Sequence, residues 1–242
     1  MENFDVTTIA ERPDLADECT RLHTGVFPKY MRYQPLSVRP IIKYFNYMVI
    51  FLQDEKVIAV GGLMPMQWNG NKDELPTYPN LVKDGINIQD EQKQFNCLGA
   101  LFAAISSNHQ GKGLSYQLIL EMKKMAKMAG CEHLMLPIRP TLKCQYPYST
   151  LSEYLKLRRD DGSYYDPWVR VHHKLGGEIV NLMEECDIFS GPINEWEKVT
   201  DQKFRQSGSY IVPRALSPLE IDVAKNVGTI SEGNIWIKHS LF

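Results

Sequence analysis

The chain has 242 residues, 43% of them hydrophobic, with 27 lysines and arginines against 29 aspartates and glutamates for a net charge of −2. That length and apolar share suit one large globular domain or two small ones. The near-neutral balance, without a basic block or stripe, argues against nucleic acid as a partner, and no apolar run reaches membrane-spanning length. In chain order, residues 6–10 read as a first strand closed by Arg12-Pro13, and Pro13 and Asp14 suit the first turn of a helix reaching toward Val26. Phe27-Pro-Lys-Tyr-Met-Arg-Tyr-Gln-Pro35 is an aromatic-rich connection, followed by a helix predicted over 38–44. Apolar runs at 47–52 and 57–63, joined by Gln53-Asp-Glu-Lys56, signal a hairpin. Residues 69–96 are polar, proline-dotted and rich in turn formers, and read as an excursion rather than core.

The strand predicted at 98–105 runs into Ser106-Ser-Asn-His-Gln-Gly-Lys-Gly113, which opens directly into an amphipathic helix. Leu114, Leu118, Ile119, Met122, Met125, Ala126 and Ala129 recur at helical steps and make one apolar face, with Gly130 at the left-handed C-cap. The apolar segment 133–138 follows at once. Strand, glycine turn, helix, strand is a βαβ unit, so the two strands should be parallel. Beyond it, Tyr146, Tyr148 and Tyr154 form an aromatic cluster, and Asp166-Pro167-Trp168 is a helix start with Asp as N-cap and Pro in the first turn. That helix runs through Val169, His172 and Leu175 and ends at Gly176-Gly177. Residues 178–189 alternate poorly but turn β-like at their end, 193–199 read as a short helix around Trp196, and 210–212 and 235–237 as closing strands. No Gly/Ser linker and no repeat divides the chain, so a single elaborated domain over 1–242 is expected, with about 69–96 inserted and about 144–242 divergent.

A glycine turn at a helix N-terminus points several backbone N–H groups and the positive end of the helix dipole at one spot, a geometry suited to phosphate. Gly111-Lys112-Gly113-Leu114 does not supply the P-loop spacing, and the third glycine of the dinucleotide fingerprint is missing. What fits is Gln-x-x-Gly-x-small, read as Gln110, Gly113 and Ser115. Here the chain resembles the GNAT superfamily of acyl-CoA-dependent N-acetyltransferases, whose pyrophosphate motif is Arg or Gln, two residues, Gly, one residue, then Gly or Ala. The order of elements over roughly residues 5–140 matches as well.

The resemblance implies an α/β fold with a mixed central sheet flanked by helices. It implies acetyl-CoA, or a related acyl-CoA, as co-substrate, with backbone amides of Gln110, Gly111, Lys112, Gly113, Leu114 and Ser115 on its pyrophosphate. The strand before the turn would splay from its neighbour, and the pantetheine arm would bond to backbone at Ala104, Ile105 and Ser106. The acyl group would pass to an amine, taken as that of a small molecule, within a ternary complex. Where the family commonly carries a Tyr as general acid, four residues before a closing Gly, this chain has His172. The strand at 98–105 has no carboxylate, so no base is evident. Arg139 and Lys143, at the carboxyl end of a parallel strand, and Tyr30 and Tyr33, on the connection that borders the acceptor site in this family, are candidate substrate contacts. A homodimer is in keeping with the family. A catalytically silent acyl-CoA-binding or sensory module stays open, as does a phosphate-binding α/β protein outside the family. Met1-Glu-Asn-Phe-Asp-Val has no apolar signal core, and five scattered cysteines without a Cys-x-x-Cys pair suit reduced thiols in a cytoplasmic protein. Neither the cysteines nor the six histidines form a metal-ligand cluster, so no metal is expected.

Overall fold

The computed structural model describes residues 4–33 and 45–242, and the helix expected at 38–44 lies outside them. Among the described residues, nine strands form one sheet: β1 (Asp5–Thr8), β2 (Tyr47–Gln53), β3 (Lys56–Met66), β4 (Cys97–Ile105), β5 (His133–Ile138), β6 (Glu178–Pro192), β7 (Gly208–Tyr210), β8 (Leu219–Asp222) and β9 (Val227–Ser240). The order is β1-β2-β3-β4-β5-β9-β8-β7, with β6 on the other edge of β9. Every pairing is antiparallel except β4 with β5, which is parallel as the βαβ reading requires. Asp54 and Glu55 close the β2–β3 hairpin at φ +49° and +60°, the left-handed pair that matches strand twist in a two-residue turn.

Neighbouring residues on β3 show which helices lie on which face. A Cβ added at Gly61 would meet the Met122 sulfur at 2.8 Å, so this face holds α3 (Leu114–Met128). A Cβ at Gly62 would meet the Phe102 ring at 2.5 Å, and Phe102 lies against His23 of α1 (Ala16–Val26) on the opposite face. α2 (Tyr78–Asp90) packs with α1 on that second face, burying Leu81 and Val82 in the same core as Met64 and Trp236. The polar stretch 69–96 is therefore not wholly an excursion. Its turn formers surround a helix whose apolar residues sit at helical spacing, and Gly85 lets that helix press onto Met64.

α3 ends as expected, with Gly130 at φ +76°. A short helix, α4 (Leu151–Tyr154), follows β5. α5 (Pro167–Lys174) has the predicted cap: the Asp166 carboxylate accepts from the backbone N–H of Trp168 and Val169 at 2.9 and 3.1 Å. The C-terminal third is dominated by the long β6–β9 hairpin. The alternation of β6 is poor because its register slips twice, once between Ile179 and Asn181 and again between Met183 and Asp187. α6 (Ile193–Thr200) seats Trp196 in a third core with Tyr30 and Phe189, and its indole N–H donates to Gly228 O at 2.8 Å. Among the described residues no helix is long and apolar enough to cross a membrane, and no group of three His, Cys, Asp or Glu is placed to hold a metal.

Candidate active site

β4 and β5 pair only from Cys97–His133 to Gly99–Met135, yet β4 continues to Ile105 and β5 to Ile138. Past Gly99 the two strands separate. An open seam in a parallel pair leaves backbone N–H and C=O groups without a ladder, and these must find another partner. A cleft of about 990 Å³ occupies the opening. On one face it is lined by Gly113, Ser115 and Trp168, and on the other by Arg21, His23 and Tyr78. It therefore passes through the sheet.

The phase of the β3–β4 ladder decides which peptide groups face the gap. The Ser106 N–H donates to Ile58 O at 2.9 Å, so Ser106 and, by alternation, Ala104 spend their peptide groups on β3. Ala103 and Ile105 turn theirs toward the opening, and both line the cleft while Ala104 and Ser106 do not. Of the three positions expected to meet the pantetheine arm, Ile105 has its peptide groups on the open edge. Ala104 and Ser106 turn theirs to β3 instead, and Ala103 shares the open edge with Ile105, because a period-two strand cannot present adjacent residues to the same edge.

The glycine turn lies at the mouth of this opening. Gly111 and Gly113 are at φ +76° and +83°, in the left-handed region, with no heavy atom within 4 Å of an added Cβ. Gly113 is the N-cap of α3 and supplies no side-chain cap; the Tyr116 N–H turns back to Gly113 O at 3.1 Å, and the amides of Leu114 and Ser115 precede it at the helix start, the position where an anion is favoured. The turn is held from behind. His109 bonds Gln53 Oε1 at 2.8 Å and Ser106 Oγ at 3.2 Å, and the Gln110 side chain donates to Ile105 O at 3.0 Å. Gln110, Gly111, Gly113, Leu114 and Ser115 line the cleft, whereas Lys112 is exposed at the tip of the turn and does not.

His172 is not placed for acid catalysis. It is wholly buried and off the cleft, stacked edge-on to Trp168, with its Nδ1 3.0 Å from His239 Nε2. The buried face of α5, Val169 and His172, is turned to the sheet, so counting back from Gly176 finds the helical position but not a side chain aimed at the thioester. Burial, then the neighbouring His239, holds His172 well below the ordinary histidine value, and burial brings His239 to about 4. Both are neutral in the fold and protonated near 6.5 when unfolded, so the unfolded chain binds more protons as pH falls. Stability should be full above pH 6.5 and fall between pH 6.5 and 4 by up to about 1.4 kcal/mol per unit for each histidine. Thermal melts of the wild type and His239→Leu check this: the wild type should lose more stability than the variant over that range.

The four candidate substrate contacts separate. Arg139 lines the cleft, but its guanidinium is committed to Glu232, with Nε to Oε2 at 2.7 Å and Nη2 to Oε1 at 3.0 Å, and also donates to Arg214 O. Tyr30, 1% exposed, donates to Glu232 Oε1 at 2.5 Å and is core. Burial and then Glu232 push its phenol up, while Arg139 stays charged because Glu232 outweighs its burial. Lys143 is 3% exposed and donates to the carbonyls of Tyr146 and Leu216, both at 2.9 Å, so it ties loops together. The side chain of Tyr33 lies outside what is described. Residues that sequence reasoning missed come from the second face. His23 is held neutral by burial, its value brought down to about 4, and Asp187 and Asn234 join the wall from β6 and β9. The slipped register of β6 hid Asp187, since no period-two pattern marks which of its residues face inward.

No family model matches the chain. It is 27% identical over 275 aligned positions to the arginine N-acetyltransferase avaD of Aspergillus versicolor, covering 98% of this chain and 94% of that one. The GNAT-like decarboxylase GphF, solved with isobutyryl-CoA, superposes with a TM-score of 0.61 at 11% identity over the full length of both chains. The loading GNATL domain of CurA from Lyngbya majuscula gives 0.60 at 13% identity, covering 99% of this chain and 98% of that one. The chain is similar in sequence to an N-acetyltransferase and has the fold of these GNAT-like proteins. The splayed seam and the helix behind the glycine turn thus belong to a GNAT-like fold, and the reading as a phosphate-binding α/β protein of another fold is set aside.

Proposed function

We propose that this GNAT-like protein transfers an acetyl group from acetyl-CoA to the amine of a small molecule. The observation that carries the reading is the uncapped N-terminus of α3 standing at the mouth of the β4–β5 opening. First-turn amides beside Gly113 and Ser115 would take the pyrophosphate, and the Ala103 peptide edge and the Ile105 N–H would take the pantetheine amides, the Ile105 carbonyl being held by Gln110. The thioester then lies in the gap, where a backbone N–H of the seam polarises its carbonyl as negative charge develops on the oxygen. The amine attacks that carbon from the face of α1 and α2, the C–N bond forms, the C–S bond breaks with its electron pair leaving on the coenzyme A thiolate, and the amine's surplus proton leaves to water in the open cleft. Holding both reactants in one seam supplies the orientation on which a direct transfer depends.

The arginine named for the Aspergillus relative makes L-arginine a first acceptor to try. Calorimetric titration with acetyl-CoA, followed by thiol release in the presence of amines, tests the reading. Binding with turnover supports the transferase, binding without turnover of any amine favours the silent acyl-CoA-binding module, and no binding removes both.

A further inference from the structure

β9 is shared between three strands. One edge holds β6 along its length, while the other pairs with β5 from Ile235 onward and with β8 up to Thr229. Between those stretches the second edge is unpaired by either strand, just past the carboxyl end of β5, and here Asn234 reaches the cleft. On β6 the register slips so that Glu184, Glu185 and Cys186 stand opposite the single residue Gly233. A Cβ at Gly233 would meet Met183 O at 2.7 Å and Glu184 O at 2.8 Å, so the bulge is packed hard against backbone. Glu184 pins it further by accepting the Leu151 N–H at 3.0 Å. Bulges beside clefts re-aim the next side chain, and here that side chain is Asp187.

Asp187 is 6% exposed and lines the cleft beside Tyr78, with the Asn234 amide donating to its Oδ2 at 3.4 Å. It stands directly opposite Glu232 across the ladder, which puts two carboxylates side by side on one face of the sheet. Arg139 spends its fork on Glu232. A carboxylate offers about four acceptor sites, so Asp187 can take further donors from a cation arriving from the cleft. Distance sets the role. Asp187 is two strand spacings from β5, roughly 10 Å even before its offset along the strands. That is too far to take a proton from an amine in the β4–β5 gap, and within reach of the other end of a short, extended acceptor.

We infer that Asp187 receives a cationic group at the end of the acceptor remote from the nitrogen that is acetylated, so the acceptors are small amines with a guanidinium or second ammonium. This rests on the transferase reading above. The test measures thiol release by the full chain with L-arginine against L-citrulline, and with 1,5-diaminopentane against pentylamine, in the wild type and Asp187→Asn. The wild type should favour the charged member of at least one pair by about ten- to a hundredfold in kcat/KM, the range of a hydrogen bond to a charged group. Asp187→Asn should lose that preference mainly through KM, with acetyl-CoA affinity unchanged within about twofold. Equal wild-type rates within both pairs, no turnover of any of the four by protein that binds acetyl-CoA, or a preference surviving in folded Asp187→Asn each overturn the inference while leaving coenzyme binding intact. Failure to bind acetyl-CoA is read separately and removes the transferase reading, and the inference with it. The wild-type ratio needs no variant, so a misfolded Asp187→Asn does not shelter the inference.

Discussion

Gly113→Asp should raise the acetyl-CoA dissociation constant by more than about a hundredfold, with a melting temperature within a few degrees of the wild type. Three effects act together. Gly113 is at φ +83°, where a non-glycine residue is strained by about 1 kcal/mol. Its added side chain meets no heavy atom within 4 Å, so the fold has room for it, but that room borders the ligand's path. A carboxylate at an uncapped helix N-terminus also satisfies the amides that the pyrophosphate needs, and it repels the pyrophosphate. Gly113→Ala separates the terms: it keeps the strain, lacks the charge and should lose only a modest part of the affinity. Calorimetry on both variants decides it. A Gly113→Asp protein that binds acetyl-CoA like the wild type would place the coenzyme elsewhere.

The largest loss of stability should come from Glu232→Leu. Glu232 is 1% exposed and accepts four hydrogen bonds, two from Arg139, one from the Tyr30 hydroxyl and one from the Leu216 N–H at 2.7 Å. Removing it leaves a mostly buried guanidinium, a buried phenol and a backbone N–H without their acceptor. Breaking one side of a buried ion pair costs about 3–5 kcal/mol. For a chain of this size that corresponds to a melting temperature lower by about 10 °C or more. Arg139→Met combined with Glu232→Leu should recover much of the loss, because the stranded charge goes with its partner. A Glu232→Leu protein melting within about 2 °C of the wild type would mean that Arg139 finds another partner, and it would return Arg139 to the candidate acceptor contacts.

The parts legible in the sequence were those with local causes. Periodicity fixed α3, and the demand for positive φ fixed the turn, since Gly111, Gly113 and Gly130 all occupy that region. Asp166-Pro167 announced α5, and the cap is there. Other features depend on contacts remote in sequence. The four buried residues of α2 fall at helical spacing, but asparagine, proline and glycine among them mask it, and only packing on Met64 reveals the helix. His172 occupies the expected position in its helix. Which way it faces is set by the approach of β9, through His239, and by Gly177, where a Cβ would meet His172 O at 2.9 Å. Asp187 was invisible because its orientation comes from a slipped ladder. Arg139 and Lys143 read as open charges because their partners lie roughly 70 to 90 residues away in the chain.

An opening that pierces a sheet differs in kind from a pocket on its surface. A molecule entering from the side of α3 and α5 and another entering from the side of α1 and α2 do not share a doorway. Neither has to wait for the other, and a spent carrier can withdraw by its own route while the modified molecule is still in place. Traffic of that sort imposes no compulsory order of arrival or departure by obstruction alone. Any order seen in the kinetics would have to come from something other than a shared entrance: movement of the chain, or one bound molecule completing the site of the other.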